Sequence, residues 1–306
     1  MNTNASVNNP STTTAREHYT TSSVTSQDGT TIGYRQLGHG PGVVVVHGAM
    51  SSGYNHMQLA EALADAFTVY LLDRRGRGLS GPYSKDYRIQ QEVEDLDALL
   101  TKTSAHQVFG ISVGGIICLQ AALTLPTIHK AAIYEPPLFM NSSEPTAFVT
   151  RFDQEMAQGK VAAALVTAMK GAQMGPPIFN VMPNWLLELM TKMMMSGEEK
   201  KGSGGYIPFR ELAPALHYDG QPILEMSGKL ESFRDVRAEV LLLGGSKSPA
   251  YMKAALDALE QILPHVTRIE FPGLGHAASW NYDKQRNPGG KPELVAQEVR
   301  RFFAEP

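Results

Sequence analysis

The chain has one cysteine, Cys118, so no intrachain disulfide can form, which fits a reducing compartment. It has no run of about 18 apolar residues, the length a membrane-spanning helix needs. Its first residues, MNTNASVNNPSTTTAREHYTTSS, lack the apolar core of a secretory signal. They are rich in Ser, Thr and Asn, and residues 1–22 read as a disordered tail. Charge is balanced, with 27 Lys and Arg against 30 Asp and Glu and a formal net charge of −3, so no basic surface argues for nucleic acid. No His, Cys and Glu cluster has metal-ligand spacing, and no Gly-rich loop carries the lysine of a phosphate cradle. These absences read as a cytoplasmic protein with no cofactor, no metal, no membrane and no nucleic-acid partner. A homodimer is left open.

What is present is a β/α alternation. GVVVVHG (42–48) is a continuous β-branched run, the pattern of a strand buried on both faces. TTIGYRQLG (30–38), FTVYLLD (67–73), HQVFGI (106–111) and KAAIYE (130–135) read as further strands. Helical patterns cover 55–66, 88–102 and 113–125. The alternation stops near 139 and resumes with AEVLLLGG (238–245), a helix at 250–262, the strand VTRIEF (266–271) and a helix near 292–303. Such a sequence predicts a mostly parallel central sheet with helices on both faces, an α/β fold. Residues 23–138 and 234–306 form its core, and the mostly helical stretch 139–233 reads as an inserted cap.

FGISVGG (109–115) places Ser112 in a Gly-x-Ser-x-Gly pattern between a strand and a helix. A tight turn there needs small residues two positions before and after the serine, which Gly110 and Gly114 supply. The following helix aims its first N–H groups, Val113 included, at the hydroxyl's surroundings. VVVVHGAM (43–50) ends a second buried strand in a turn, so the Ala49 N–H can point into the same crevice and complete an oxyanion hole with Val113. His47 reads as a turn residue held by hydrogen bonds. FPGLGHAAS (271–279) puts His276 on a loop at the C-terminal edge of the sheet, where a general base belongs. His106, His129 and His265 open or precede strands on the opposite edge, and His18 lies in the tail.

In this order, VVVVHGAM, LLDRRGRGLS, VFGISVGG and FPGLGH resemble the α/β-hydrolase fold family. The resemblance implies a core with a cap inserted after the sixth strand, and a triad in the order Ser, acid, His. Asp73, in LLDRRGRG, is in that family a loop-shaping residue, here expected to pair with an arginine. The family's acid commonly follows the seventh strand, but LLLGGSKSPAY has Ser248 there, and serine cannot carry the charge that stabilises an imidazolium. Some branches place the acid after the sixth strand, where AAIYEPPLF offers Glu135, with Pro136 biasing it to an extended backbone.

Ten of the 14 methionines fall between 139 and 233, with Trp185, Phe152, Phe179 and Leu187. Most hold the cap helices together, but a methionine-rich surface also suits apolar ligands. Trp185, Met190, Met194 and His217 are the expected substrate-binding residues, and SGEEKKGSGG (196–205) reads as a mobile lid loop. The leading expectation is a serine esterase or lactonase for a small apolar substrate, acting through Ser112, His276 and Glu135. The alternatives are a lyase or carbon–carbon hydrolase using the same Ser and His, and a non-catalytic small-molecule receptor. An aspartate-nucleophile dehalogenase or epoxide hydrolase is disfavoured by the serine at 112.

Overall fold

In the computed structural model, which describes residues 18–140, 146–176, 178–201 and 205–305, the GVVVV run becomes strand β3 (Gly42–Val46) at the heart of a sheet. Because side chains alternate along a strand, Val44 and Val46 enter one apolar core while Val43 and Val45 enter the other. The same division runs through β5 (Gln107–Ile111), β6 (Lys130–Tyr134) and β7 (Glu239–Gly245). This explains why these strands read as unbroken apolar runs.

The remaining strands are β1 (Thr20–Thr25), β2 (Thr31–Gly38), β4 (Thr68–Leu72) and β8 (Val266–Phe271). The eight form one sheet in the order β1-β2-β4-β3-β5-β6-β7-β8. β1 and β2 pair antiparallel, β2 and β4 do too, and all later pairings are parallel. One face is covered by α2 (Ile89–Thr103), α3 (Val113–Thr124) and α10 (Ala250–Ile262), the other by α1 (Met57–Leu63) and α11 (Pro292–Ala304). Between β6 and β7 come α4 (Thr146–Ala157), α5 (Val161–Gly171), α6 (Ile178–Val181), α7 (Asn184–Lys201), α8 (Phe209–Leu212) and α9 (Ala215–Met226).

Three local expectations change. The tail predicted to reach residue 22 already holds β1 from Thr20, because backbone pairing such as Thr20 with Gln36 does not require apolar side chains at a sheet edge; residues 1–17 of that stretch lie outside the described residues. The loop expected at 196–205 is helical through Lys201, since Glu and Lys are good helix formers; 202–204 lie outside the described residues. The helix expected at 55–66 divides into a 3-10 turn, Gly53–His56, and α1.

Candidate active site

Ser112 is the single residue between the end of β5 and the start of α3, and it adopts φ 55° and ψ −123°. A non-glycine residue there stores strain of about 1–3 kcal/mol. The turn is held because the Ser112 N–H donates to the Tyr134 carbonyl at 2.8 Å and the Gly115 N–H donates to the Ser112 carbonyl at 2.8 Å. It also requires the flanking glycines. A Cβ at Gly110 would fall 2.4 Å from the Gly114 carbonyl oxygen, and one at Gly114 would fall 2.1 Å from that of Val46. Ser112 is 9 % exposed, because residues of the inserted helices line the same cavity and cover the turn.

Glu135 follows β6 directly and is fully buried. Its backbone is not extended, as Pro136 led one to expect, but left-handed at φ 45°. Tertiary contacts fix that conformation. Its N–H donates to the Leu243 carbonyl at 3.0 Å, and its carboxylate is gripped on both oxygens. The Gly245 N–H donates to Oε1 at 2.6 Å, and His276 Nδ1 lies 2.7 Å from Oε2. A carboxylate accepts only, so the His276 proton sits on Nδ1 and Nε2 is left as the acceptor. The loop carrying His276 is steadied by the Tyr134 hydroxyl, which donates to the Gly275 carbonyl at 2.9 Å. Burial, and then the Glu135 charge, push the Tyr134 pKa up, which keeps that hydroxyl a donor. Ser248 is buried, and its hydroxyl has no hydrogen-bond partner among the described residues.

Ser112, His276, Ala49 and Val113 all line one cavity of about 400 Å³. As the first residue of α3, Val113 has no intrahelical acceptor for its N–H. Of the described contacts, none is a hydrogen bond between Ser112 and His276; such catalytic contacts often close only around substrate. Phe139, Phe152, Leu165, Met169, Met174 and Ile223 make most of the wall apolar. Of the expected substrate contacts, Met194 lines this cavity. Trp185 and Met190 do not, being turned outward on α7 at 67% and 40% exposure. Nor does His217, whose Nδ1 lies 2.9 Å from Asp153 Oδ1 on the exposed side of α9. Helical phase, which composition does not reveal, decides these placements.

The cavity wall includes a carboxylate that the sequence reading did not name, Asp219 of α9. It is buried, with Arg74 Nη1 at 2.8 Å and Arg77 Nη2 at 2.8 Å from its Oδ1. Arg74 also donates to Glu92 at 2.8 Å, and burial of that guanidinium is outweighed by the Glu92 and Asp219 charges, which raise its pKa. The arginines of LLDRRGRG thus tie an inserted helix to the core. The available signal was an acid in the middle of the largely apolar segment ALHYDGQPILEM, which carries one other, Glu225, near its end. Asp73 plays the shaping part read for it: Oδ2 accepts from Arg35 at 2.8 Å and from the Leu79 N–H at 2.9 Å, and Oδ1 accepts from the Gly53 N–H at 2.7 Å. His47 accepts at Nε2 from the Arg74 N–H at 3.1 Å, so its Nδ1 bears the proton and faces the Gly48 carbonyl at 2.8 Å.

A serine on a strained strand-to-helix turn, facing a carboxylate-paired histidine at the C-terminal edge of a parallel sheet, is the arrangement of a nucleophile-elbow protein. The chain belongs to the α/β-hydrolase family, whose model, described as the alpha/beta hydrolase family, matches residues 43–289. It is 24% identical, over 88% of its length and 97% of the relative's, to a pimeloyl-[acyl-carrier protein] methyl ester esterase from Xanthomonas axonopodis pv. citri (strain 306). Its fold is similar to the crystal structure of an α/β hydrolase from Sphaerobacter thermophilus DSM 20745, with TM-score 0.73, 28% identity, and coverage of 92% of this chain and 100% of that one. It is also similar to the enol-lactonase from Burkholderia xenovorans LB400, with TM-score 0.66, 17% identity, and coverage of 93% and 100%. Among the described residues, no helix is long and apolar enough to cross a membrane, and no three His, Cys, Asp or Glu side chains are grouped to hold a metal ion.

Proposed function

We propose that this protein is a serine hydrolase that cleaves a carboxylic ester or lactone with a large apolar part. The observation that carries the reading is the Glu135–His276 pair bordering the cavity into which Ser112 faces. Ser112 Oγ attacks the carbonyl carbon while His276 Nε2 takes its proton. The ring becomes a cation whose charge the Glu135 carboxylate offsets. The Ala49 and Val113 N–H groups receive the developing oxyanion, a contribution of about 10²–10³ in rate for each such donor. Collapse breaks the acyl–oxygen bond, and the proton on Nε2 passes to the leaving alkoxide. Water then repeats the sequence on the acyl-enzyme, with His276 as its base. The apolar cavity wall favours an uncharged, hydrophobic acyl or alkyl group. The similarity to methyl ester esterases supports an ester as the bond cleaved.

Incubation with a fluorophosphonate probe, followed by peptide mapping, should place the label on Ser112, and apolar esters should yield acid plus alcohol. Failure of Ser112 to label, or release of a ketone or cyanide in place of an acid, would overturn this reading.

A further inference from the structure

Among the described residues that line the cavity, Met194 is the one that is exposed, at 44%. Every other lining residue is buried or half-buried, so Met194 is the most open part of the wall. The surface it meets is itself apolar. Trp185, Leu189 and Met193 are exposed at 67%, 47% and 59%, and Met190 at 40%. At 3.6 residues per turn, each step of four residues advances about 40° around a helix. Trp185, Leu189 and Met193 therefore wind around α7 toward Met190, which lies between Met193 and Met194 on the helix circumference. The path runs from the outer face of the helix, over one flank, to the cavity wall. Between Asn184 and Ser196, Glu188 and Lys192 are the only charged side chains. An exposed apolar patch of this kind marks a binding surface, and methionines let it conform to a flexible ligand.

We propose that this flank is an outer subsite for a linear alkyl or acyl chain, so that the substrate's tail leaves the cavity past Met194 and lies along Met190 and Met193 toward Leu189. The path leaves the cavity at Met194 and continues along one helix, so an extended chain can follow it end to end. The inference names the substrate class of the site proposed above, and rests on that reading for the bond cleaved. The subsite itself follows from the continuity of the apolar surface with the cavity.

The test is binding of n-alkanols from hexanol to dodecanol, by calorimetry or dye displacement, to the full chain and to the double variant Met190→Ser/Met193→Ser. Both side chains are exposed, and thermal melts would verify that the variant folds. Burying each added methylene should tighten wild-type binding by up to about fourfold. In the variant the gain should stop at the length the cavity holds, so that the dodecanol-to-hexanol affinity ratio falls at least about tenfold, the worth of two such methylenes. Parallel chain-length profiles in the two proteins would overturn the proposal. So would an unchanged ratio accompanied by conversion of a dimer to a monomer in sedimentation, which would assign the face to a second copy of the chain. Loss of chain-length dependence in the variant without hydrolysis of any ester by the wild type would sink the esterase reading and leave the subsite standing.

Discussion

Glu135 and His276, separated by 141 positions in sequence, meet with Oε2 and Nδ1 2.7 Å apart, and the other carboxylate oxygen is held by the Gly245 N–H at 2.6 Å. The grip on Oε1 fixes the direction in which Oε2 points. Glu135→Gln should therefore preserve the fold, favour the wrong histidine tautomer, and lower kcat by up to about 10⁴. Adding Ser248→Asp to that variant should restore part of the loss if the loop after β7 still faces His276. Steady-state kinetics on the two variants decide the matter; near wild-type kcat in Glu135→Gln would place the acid elsewhere or leave a Ser–His dyad.

Ser112→Ala should remove several orders of magnitude in rate, on the scale of about 10⁶ seen when such a nucleophile is lost, and leave the unfolding midpoint in place. Retention of more than about a tenth of wild-type kcat, far above that scale, would rule out the serine mechanism.

Gly114→Ala tests the turn and not the chemistry. Its Cβ would lie 2.1 Å from the Val46 carbonyl, so β3 or α3 must shift. Denaturant unfolding should show a loss at the upper end of the about 1–3 kcal/mol typical of overpacking. Unchanged stability with full activity would mean that the close approach is not needed.

Asp219→Ala should strand Arg74 and Arg77 at the joint between α9 and the core. Breaking one partner out of a buried ion pair costs about 3–5 kcal/mol. The loss should appear in urea unfolding, and limited proteolysis should cut first between β6 and β7. Equal protease resistance of variant and wild type would show that this joint does not hold the inserted helices.

Stability should fall with acid through His56. Burial lowers its pKa from 6.5 to about 4, even though its ring nitrogen Nδ1 is hydrogen-bonded to the Ser279 carbonyl at 3.1 Å. The folded chain thus keeps this ring neutral where the unfolded chain protonates it. Its contribution is present above about 6.5 and is lost as pH falls toward about 4, by at most about 1.4 kcal/mol per pH unit. His47 is lowered in the same direction by burial and by Arg77 and Arg74, so it steepens the same decline. Measured between pH 6.5 and 4, the unfolding free energy of His56→Gln should have a slope shallower by about one proton than that of the wild type. Parallel slopes would show that His56 does not carry the effect.

Much of the site was legible in the chain. Gly110-x-Ser112-x-Gly114 between a strand and a helix, and His276 after the last strand, are local patterns with local causes. The pairing of His276 with Glu135 was anticipated from side-chain chemistry, because serine cannot hold a negative charge, together with the resemblance to family branches whose acid follows the sixth strand. The direction of the inserted helices was not legible. Met194 and Met190 are the same residue type on the same helix, yet one lines the cavity and the other faces outward. Composition cannot separate them, since the answer depends on how α7 is rotated against its neighbours.

By itself the sequence determined the strands from β2 onward but not the exposed edge strand β1, because apolar and β-branched runs bounded by turns have few other uses, and it determined the order in which Ser112, Glu135 and His276 arrive at one sheet edge. The tertiary structure alone decided three things. It turned Glu135 left-handed against the tendency that Pro136 imposes, because the last residue of β7 and the histidine after β8 together fix its carboxylate. It joined Asp219 to arginines 142 and 145 residues away, because buried charges must find partners. And it set which methionines meet the cavity, because packing fixes a helix's rotation, a quantity no single residue encodes.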